Sequence, residues 1–272
     1  MMRICCLGDL HYHGLKKKLE NVVSNIKVKC YSADVIAVVG DITGNGGLGF
    51  VFEVLTEIRD TIDVPVLVVS GNHDIYLSHS EKAMNMNSLL KLSMFNDLVE
   101  RTGCYPLMKR PFILDGVGFV GSIGWYDYSF APDYLGLSVE DFREKYFGMY
   151  TWADRDFVEL PFSDEEFTLM LLNKFEKQIR EIYDKVEKIV AVMHHLPFRE
   201  LVKYKLEPSW DYFSTFMGSE AFGYVIKKYR DKVRLVLHGH QHGEEIETGV
   251  CREVDRVKCC NCASTNPIVV EV

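Results

Sequence analysis

The chain has 272 residues, 47% apolar and 26% charged, the composition of an ordinary globular protein long enough to bury a core without disulfides or a partner; disorder and fibrous repeats are excluded. Lys and Arg number 31 against 39 Asp and Glu, a net charge of −8, which argues against gripping long nucleic acids through their phosphates. Eight cysteines without an export signal are read as reduced thiols in the cytoplasm, and no apolar run reaches the roughly 20 residues of a membrane span.

In chain order, short Val-rich runs at Arg3–Leu7, Val35–Val39 and Val64–Ser70 predict buried parallel strands. Helical spacing over Leu15–Val28 and Phe50–Ile62 separates them, so the chain starts as a βαβαβ unit of an α/β fold. Residues 82–100 predict another helix. Asp115-Gly116, between Phe112–Leu114 and Val117–Val120, predicts a hairpin. Over residues 163–187, Ser163 and Glu166 make a capping box, and Phe167, Leu171, Phe175, Ile179, Ile182 and Val186 form one apolar stripe. Lys188–Met193 and Val233–Leu237 predict further buried strands. From Glu244 onward the pattern predicts antiparallel strands turning at Thr248-Gly249. No linker or repeat divides the chain, which reads as a single domain over residues 1–272 with a cap-like insertion at about 123–187.

The polar residues fall where the strands end. Gly8-Asp9-Leu10-His11, Gly40-Asp41, Gly71-Asn72-His73-Asp74, His194-His195-Leu196-Pro197 and His238-Gly239-His240-Gln241-His242 each follow an apolar strand. Ligands of open α/β sheets sit beyond the carboxyl ends of parallel strands, and Asp, His and Asn gathered there are metal-binding types.

This ordered set resembles the calcineurin-like metallophosphoesterase superfamily over residues 8–242. The resemblance implies an α/β/β/α sandwich: four layers, two mixed sheets flanked by helices, with the insertion helical and aromatic-rich. It implies a phosphoric ester hydrolase with two divalent ions, Asp9, His11, Asp41 and His242 holding the first and Asp41, Asn72, His194 and His240 the second, so that Asp41 bridges. By the same resemblance, a hydroxide between the ions would attack phosphorus, and His73, over the substrate, would serve as general acid. Imidazole and carboxylate suit Mn, Fe or Zn. The first histidine of the His194-His195 pair is taken as the ligand, leaving His195, with His13, Trp125 and Asp127, as candidate substrate contacts. The expected partner is a small phosphorylated substrate, with neither long nucleic acid nor membrane.

The protein Ser/Thr phosphatase branch extends its second motif to Gly-Asp-x-Val-Asp-Arg-Gly, whereas this chain reads Gly40-Asp41-Ile42-Thr43-Gly44-Asn45-Gly46. The Asp that orients the catalytic histidine and the phosphate-gripping Arg are both replaced. A nucleotide phosphodiesterase or nuclease is the alternative enzyme, and a non-catalytic binding scaffold a further one. Gly44-Asn45-Gly46-Gly47-Leu48-Gly49 matches the dinucleotide pattern of an oxidoreductase. Three residues intervene after the strand, however, and Asp63 precedes the third strand instead of following the second.

Residues 125–162 hold twelve of the chain's 33 aromatics, where an even spread gives about five. They read as a satellite core under a long excursion or as a cap selecting substrate. Trp210, Tyr212, Phe213 and Phe216 form a second cluster. Cys259-x-x-Cys262 lacks a second pair at zinc spacing, so the C-terminal cysteines read as buried thiols, as do Cys5 and Cys6.

Overall fold

The computed structural model describes residues 1–272. β1 (Arg3–Leu7), α1 (Lys16–Lys29), β2 (Val35–Val39), α2 (Leu48–Arg59) and β3 (Val66–Val69) form the expected βαβαβ unit, its strands parallel. The strands alternate with the pleat. Ile4, Cys6, Val35, Ala37, Val39, Leu67 and Val69 face one side, and Cys5, Leu7, Ile36, Val38, Val66 and Val68 pack on the helices at the other. The single helix expected over 82–100 is instead two, α3 (His79–Ala83) and α4 (Ser88–Arg101). Asn87 interrupts them because its side chain accepts from Leu90 N at 2.9 Å and starts α4 afresh. β4 (Tyr105–Pro106) closes that edge of the sheet.

The second half builds a facing sheet. β5 (Phe112–Leu114) and β6 (Val117–Ser122) pair around Asp115-Gly116 as the hairpin signal predicts. The excursion holds α5 (Val139–Arg143), β7 (Tyr146–Phe147), β8 (Tyr150–Thr151), α6 (Asp154–Phe157) and α7 (Asp164–Ile182). Ser163 and Glu166 cap α7 reciprocally, as expected. β9 (Lys188–Met193), α8 (Pro208–Ser214), α9 (Glu220–Lys228), β10 (Val233–His238), β11 (Cys251–Val254), β12 (Val257–Asn261) and β13 (Ile268–Glu271) complete the chain. One sheet runs β13-β1-β2-β3-β4 and the other β11-β12-β10-β9-β6-β5. On β6, Gly118 lies under Ile182 of α7 while Gly121 faces Val69 of the first sheet. The layers are therefore helix, sheet, sheet, helix, with the main core between the sheets.

Two further expectations need correction. The turn of the C-terminal hairpin is Asp255-Arg256, both left-handed (φ 48° and 68°), not Thr248-Gly249. Two consecutive left-handed residues match the twist of a tight hairpin. Of the eight cysteines expected as thiols, four are paired: Cys5–Cys30 and Cys251–Cys260 are disulfides, while Cys6, Cys104, Cys259 and Cys262 are free and buried. No helix is long and apolar enough to cross a membrane.

Candidate metal centre

The two sheets present the carboxyl ends of their parallel strands to one another. Asp9 and His11 follow β1, Asp41 follows β2, Asn72 and His73 follow β3, His194 follows β9, and His240 and His242 follow β10. Asp9, His11, Asp41 and His240 have left-handed backbones, at φ 51°, 42°, 49° and 70°. Such strain persists only where the surroundings over-determine it. Here His11 N donates to the Asp41 carbonyl at 2.9 Å, and His240 N donates to Asp9 Oδ1 at 3.1 Å. Two glycines let backbone approach the carboxylates. A Cβ on Gly71 would stand 2.1 Å from Asp41 Oδ1, and one on Gly239 2.3 Å from Asp9 Oδ2.

All seven candidate ligands converge, in two groups that share Asp41. On one side, His11 Nε2 lies 3.0 Å from His242 Nε2, His242 Nε2 3.5 Å from Asp9 Oδ1, and Asp41 Oδ2 3.8 Å from His11 Nε2. On the other, His194 Nε2 is 3.4 Å from Asp41 Oδ1, 3.1 Å from Asn72 Oδ1 and 3.1 Å from His240 Nδ1. His194 Nδ1 donates to the Val39 carbonyl at 2.8 Å and His240 Nε2 to the Phe216 carbonyl at 3.3 Å. Those bonds fix the tautomers, leaving each ring's other nitrogen to offer a lone pair to the centre.

The electrostatics follow from crowding acids and imidazoles together. Burial pushes Asp9 up to about 7. Burial acts likewise on Asp41, but the imidazoles of His194 and His73 beside it prevail and hold it well below the usual carboxylate range. Burial draws His11 down to about 4 and His240 well below the imidazole range. Burial works against charge on His194, but the Asp41 carboxylate prevails and lifts it to about 9. Two buried carboxylates, an amide oxygen and four imidazoles, with no lysine or arginine in the adjoining cavity, form a donor set that divalent cations fit.

His73 stands beside this set, its Nε2 3.9 Å from Asp41 Oδ2 and its ring bordering the cavity. Its Nδ1 donates to the Gly44 carbonyl at 3.0 Å. The backbone of the residue that replaces the orienting Asp thus does the orienting. Asp74, buried, accepts from Thr43 N and Gly71 N, each at 2.9 Å, and ties the second and third loops together.

Asp154, a buried residue of the insertion, has no sequence signal of its own. Its Oδ1 accepts from Asn72 Nδ2 at 2.8 Å and Tyr76 OH at 2.7 Å, and its Oδ2 from Tyr126 OH and Trp152 Nε1, both at 2.8 Å. It thereby turns the Asn72 amide so that the oxygen faces His194.

The four candidate substrate contacts lie outside the cavity. His195 is buried, its Nδ1 donating to the Ile123 carbonyl at 3.0 Å and its Nε2 without a partner. Trp125 is buried, and its Nε1 donates to Asp164 at 2.8 Å. Asp127 braces two loops, accepting from Ser129 Oγ and Ser219 Oγ, each at 2.6 Å. His13 is exposed and packs on Gly44. Gly46 of the glycine run presses on the Tyr76 carbonyl and Lys91, so that loop is packed against protein. The aromatic excess divides. Trp125, Tyr126, Tyr128, Phe130 and Phe142 are core, whereas Tyr150 and Trp152 line the cavity with Trp210 and Phe213.

A family model described as calcineurin-like phosphoesterase matches residues 2–244. Among solved structures, TT1561 of Thermus thermophilus is 10% identical with a TM-score of 0.54, covering 97% of this chain and 90% of that one. A provisionally assigned 5'-nucleotidase from Staphylococcus aureus, solved with alpha-ketoglutarate, is 10% identical with a TM-score of 0.52. That match covers 99% of this chain and 51% of the other, so this chain spans about half its length. At such identities the likeness is one of fold. No curated protein sequence matches.

Proposed function

We propose, from the premise that the chain belongs to the calcineurin-like phosphoesterase family and is a metal-dependent phosphoric ester hydrolase, that it acts through a two-metal centre. Asp9, His11, Asp41 and His242 hold one divalent ion, Asp41, Asn72, His194 and His240 the other, with Mn, Fe or Zn as the metals. The observation that carries this reading is the split of Asp41, whose Oδ1 lies 3.4 Å from His194 Nε2 and whose Oδ2 lies 3.8 Å from His11 Nε2.

Ions so held supply positive charge to phosphoryl oxygens and lower the pKa of water toward 7. The chain's own residues orient the ester and move one proton. His73 Nδ1 is committed to Gly44, so Nε2 is the atom that passes a proton to the leaving oxygen. Asn72 contributes through its oxygen because its nitrogen is held by Asp154 and Tyr76. The cavity of about 500 Å³ beside the centre suits a small phosphorylated molecule.

The purified protein is expected to carry about two divalent ions per chain and to hydrolyse a generic phosphomonoester or phosphodiester. Asp41→Asn should lose both metal and activity, and a variant keeping both contradicts the bridge. His73→Ala should slow turnover by about 10²–10⁴-fold with its metal retained. Loss of metal in that variant removes His73 as the proton donor.

A further inference from the structure

The cavity that opens on Asp41, His73, His240 and His242 is walled largely by apolar side chains. Tyr76, Tyr150, Trp152, Trp210, Phe213 and Met217 line it, drawn from three separate segments. No lysine or arginine lines it. Three nearby cations are engaged elsewhere, and Lys203 borders a separate cavity. Lys205 lies over the Trp210 ring at 3.5 Å and pairs with Glu245 at 2.8 Å, Lys145 pairs with Asp164 at 2.8 Å, and Arg155 lies over Tyr146.

Most polar atoms of the walls are also committed to protein. Trp152 Nε1 donates to Asp154 and Trp210 Nε1 to the Lys203 carbonyl, each at 2.8 Å. Ser214 Oγ donates to the same carbonyl at 3.2 Å, and Gln241 Oε1 accepts from Lys203 N at 3.1 Å. What remains for a ligand is ring surface and three uncharged groups, the Tyr150 and Thr151 hydroxyls and the Gln241 amide nitrogen. A second phosphate or a carboxylate entering here would lose water and meet no cation, whereas a flat ring would bury apolar area and stack. The volume, about 500 Å³, holds one ring system.

We propose that the substrate is a phosphoester whose alcohol carries a flat, uncharged ring, held against these aromatics while its phosphoryl group lies at the metal centre. This rests on the hydrolase reading above. The chemistry is the same whether the ring is an aryl group or a nucleobase.

The test compares matched esters on Mn-loaded protein. 2-Phenylethyl phosphate and 2-cyclohexylethyl phosphate share charge and a primary alkoxide type of leaving group, are similar in size, and differ in flatness. The expected kcat/KM ratio is about tenfold or more in favour of the flat ring, and a carboxylate added to that ring should abolish the advantage. A nucleoside 5'-monophosphate arm tells whether a base is accepted as well as an aryl group. Trp210→Leu, or Tyr150→Leu should the first fail to fold, should shrink the ratio toward one with metal content unchanged. Equal kcat/KM for the flat and puckered esters overturns the proposal. The corresponding non-hydrolysable phosphonates, followed by tryptophan fluorescence, separate the two readings. No turnover of any ester with about tenfold tighter binding of the phenyl phosphonate sinks the hydrolase reading alone. Equal binding of both phosphonates sinks the ring.

Discussion

Single side chains at this centre act mostly through what they orient. Asp154 shows how. One buried carboxylate receives four donors, and one of them belongs to Asn72, whose oxygen is proposed to hold a metal. Asp154→Asn keeps the shape but replaces one acceptor oxygen by an NH₂ group, which then faces donors. The amide of Asn72 loses the bond that sets its direction, or two of the aromatic donors go unpaired. Removing such an outer partner commonly costs about 10–100-fold in metal affinity. Titration of metal-free Asp154→Asn should therefore show the ion shared by Asn72, His194 and His240 weakened by that factor, with the other ion held as before. Equal weakening of both sites points to a folding defect, and no weakening leaves Asp154 without a positioning role. Nothing local marks this residue in the sequence. It is 82 positions from Asn72, and an acid followed by Arg155 in an aromatic-rich stretch reads as ordinary surface.

Elements explain why the centre itself is legible and its surroundings are not. Strands buried on both faces must be largely apolar, so the acids, amide and imidazoles just beyond them stand out, as Asp9, Asp41, Asn72, His194 and His240 do. The strand bounds Arg3–Leu7, Val35–Val39 and Lys188–Met193 coincide with the apolar runs for the same reason. Short pieces carry no comparable signal. α6 has four residues and β7 and β8 two each, and distant aromatics hold them, Tyr76 against Phe157 of α6 and Tyr212 against Phe147 of β7. The C-terminal strands are legible as antiparallel, but their turn is not, because Asp255-Arg256 is not a glycine turn, and neither is the parallel pairing of β12 with β10. Glycines at element ends offer a test with two signs. Gly71 follows β3, and any side chain there meets Asp41 Oδ1 at 2.1 Å and Asp41 N at 2.5 Å. Gly71→Ala should cost about 1–3 kcal/mol in denaturant unfolding and displace the Asp41 carboxylate, lowering metal content. Gly49 lies in the first turn of α2 with nothing within 4 Å of its would-be Cβ. Gly49→Ala should raise stability by about 0.5 kcal/mol and leave metal content alone. A neutral Gly71→Ala would mean that the loop gives way and the close approach is not needed.

At the scale of the whole molecule, a core of this size is sufficient without covalent help, yet two disulfides are present. Their positions say what they hold. Cys5–Cys30 ties β1 to the end of α1, closing a loop across 25 residues, and Cys251–Cys260 joins directly opposed residues of β11 and β12. Neither touches the centre, although each lies on an element that ends near it. Residue composition does not reveal them. Buried Cys5 and Cys260 sit inside apolar strands, where a thiol packs as a small hydrophobe, and pairing depends on which strand or helix end arrives opposite. In the chain-entropy account a loop the length of the first one stabilises by about 3.5 kcal/mol. Reductant should therefore shift the denaturant midpoint of the wild-type protein downward. The double variant Cys5→Ala/Cys30→Ala should start between the oxidised and reduced wild-type midpoints and respond to reductant only through the Cys251–Cys260 pair. Metal content and turnover below the transition should be unchanged in the variant, because Asp9 and Asp41 are positioned by backbone and side-chain hydrogen bonds within the loops. A wild-type midpoint indifferent to reductant would mean that the thiols are unpaired in solution, and the fold would then rest on its core alone.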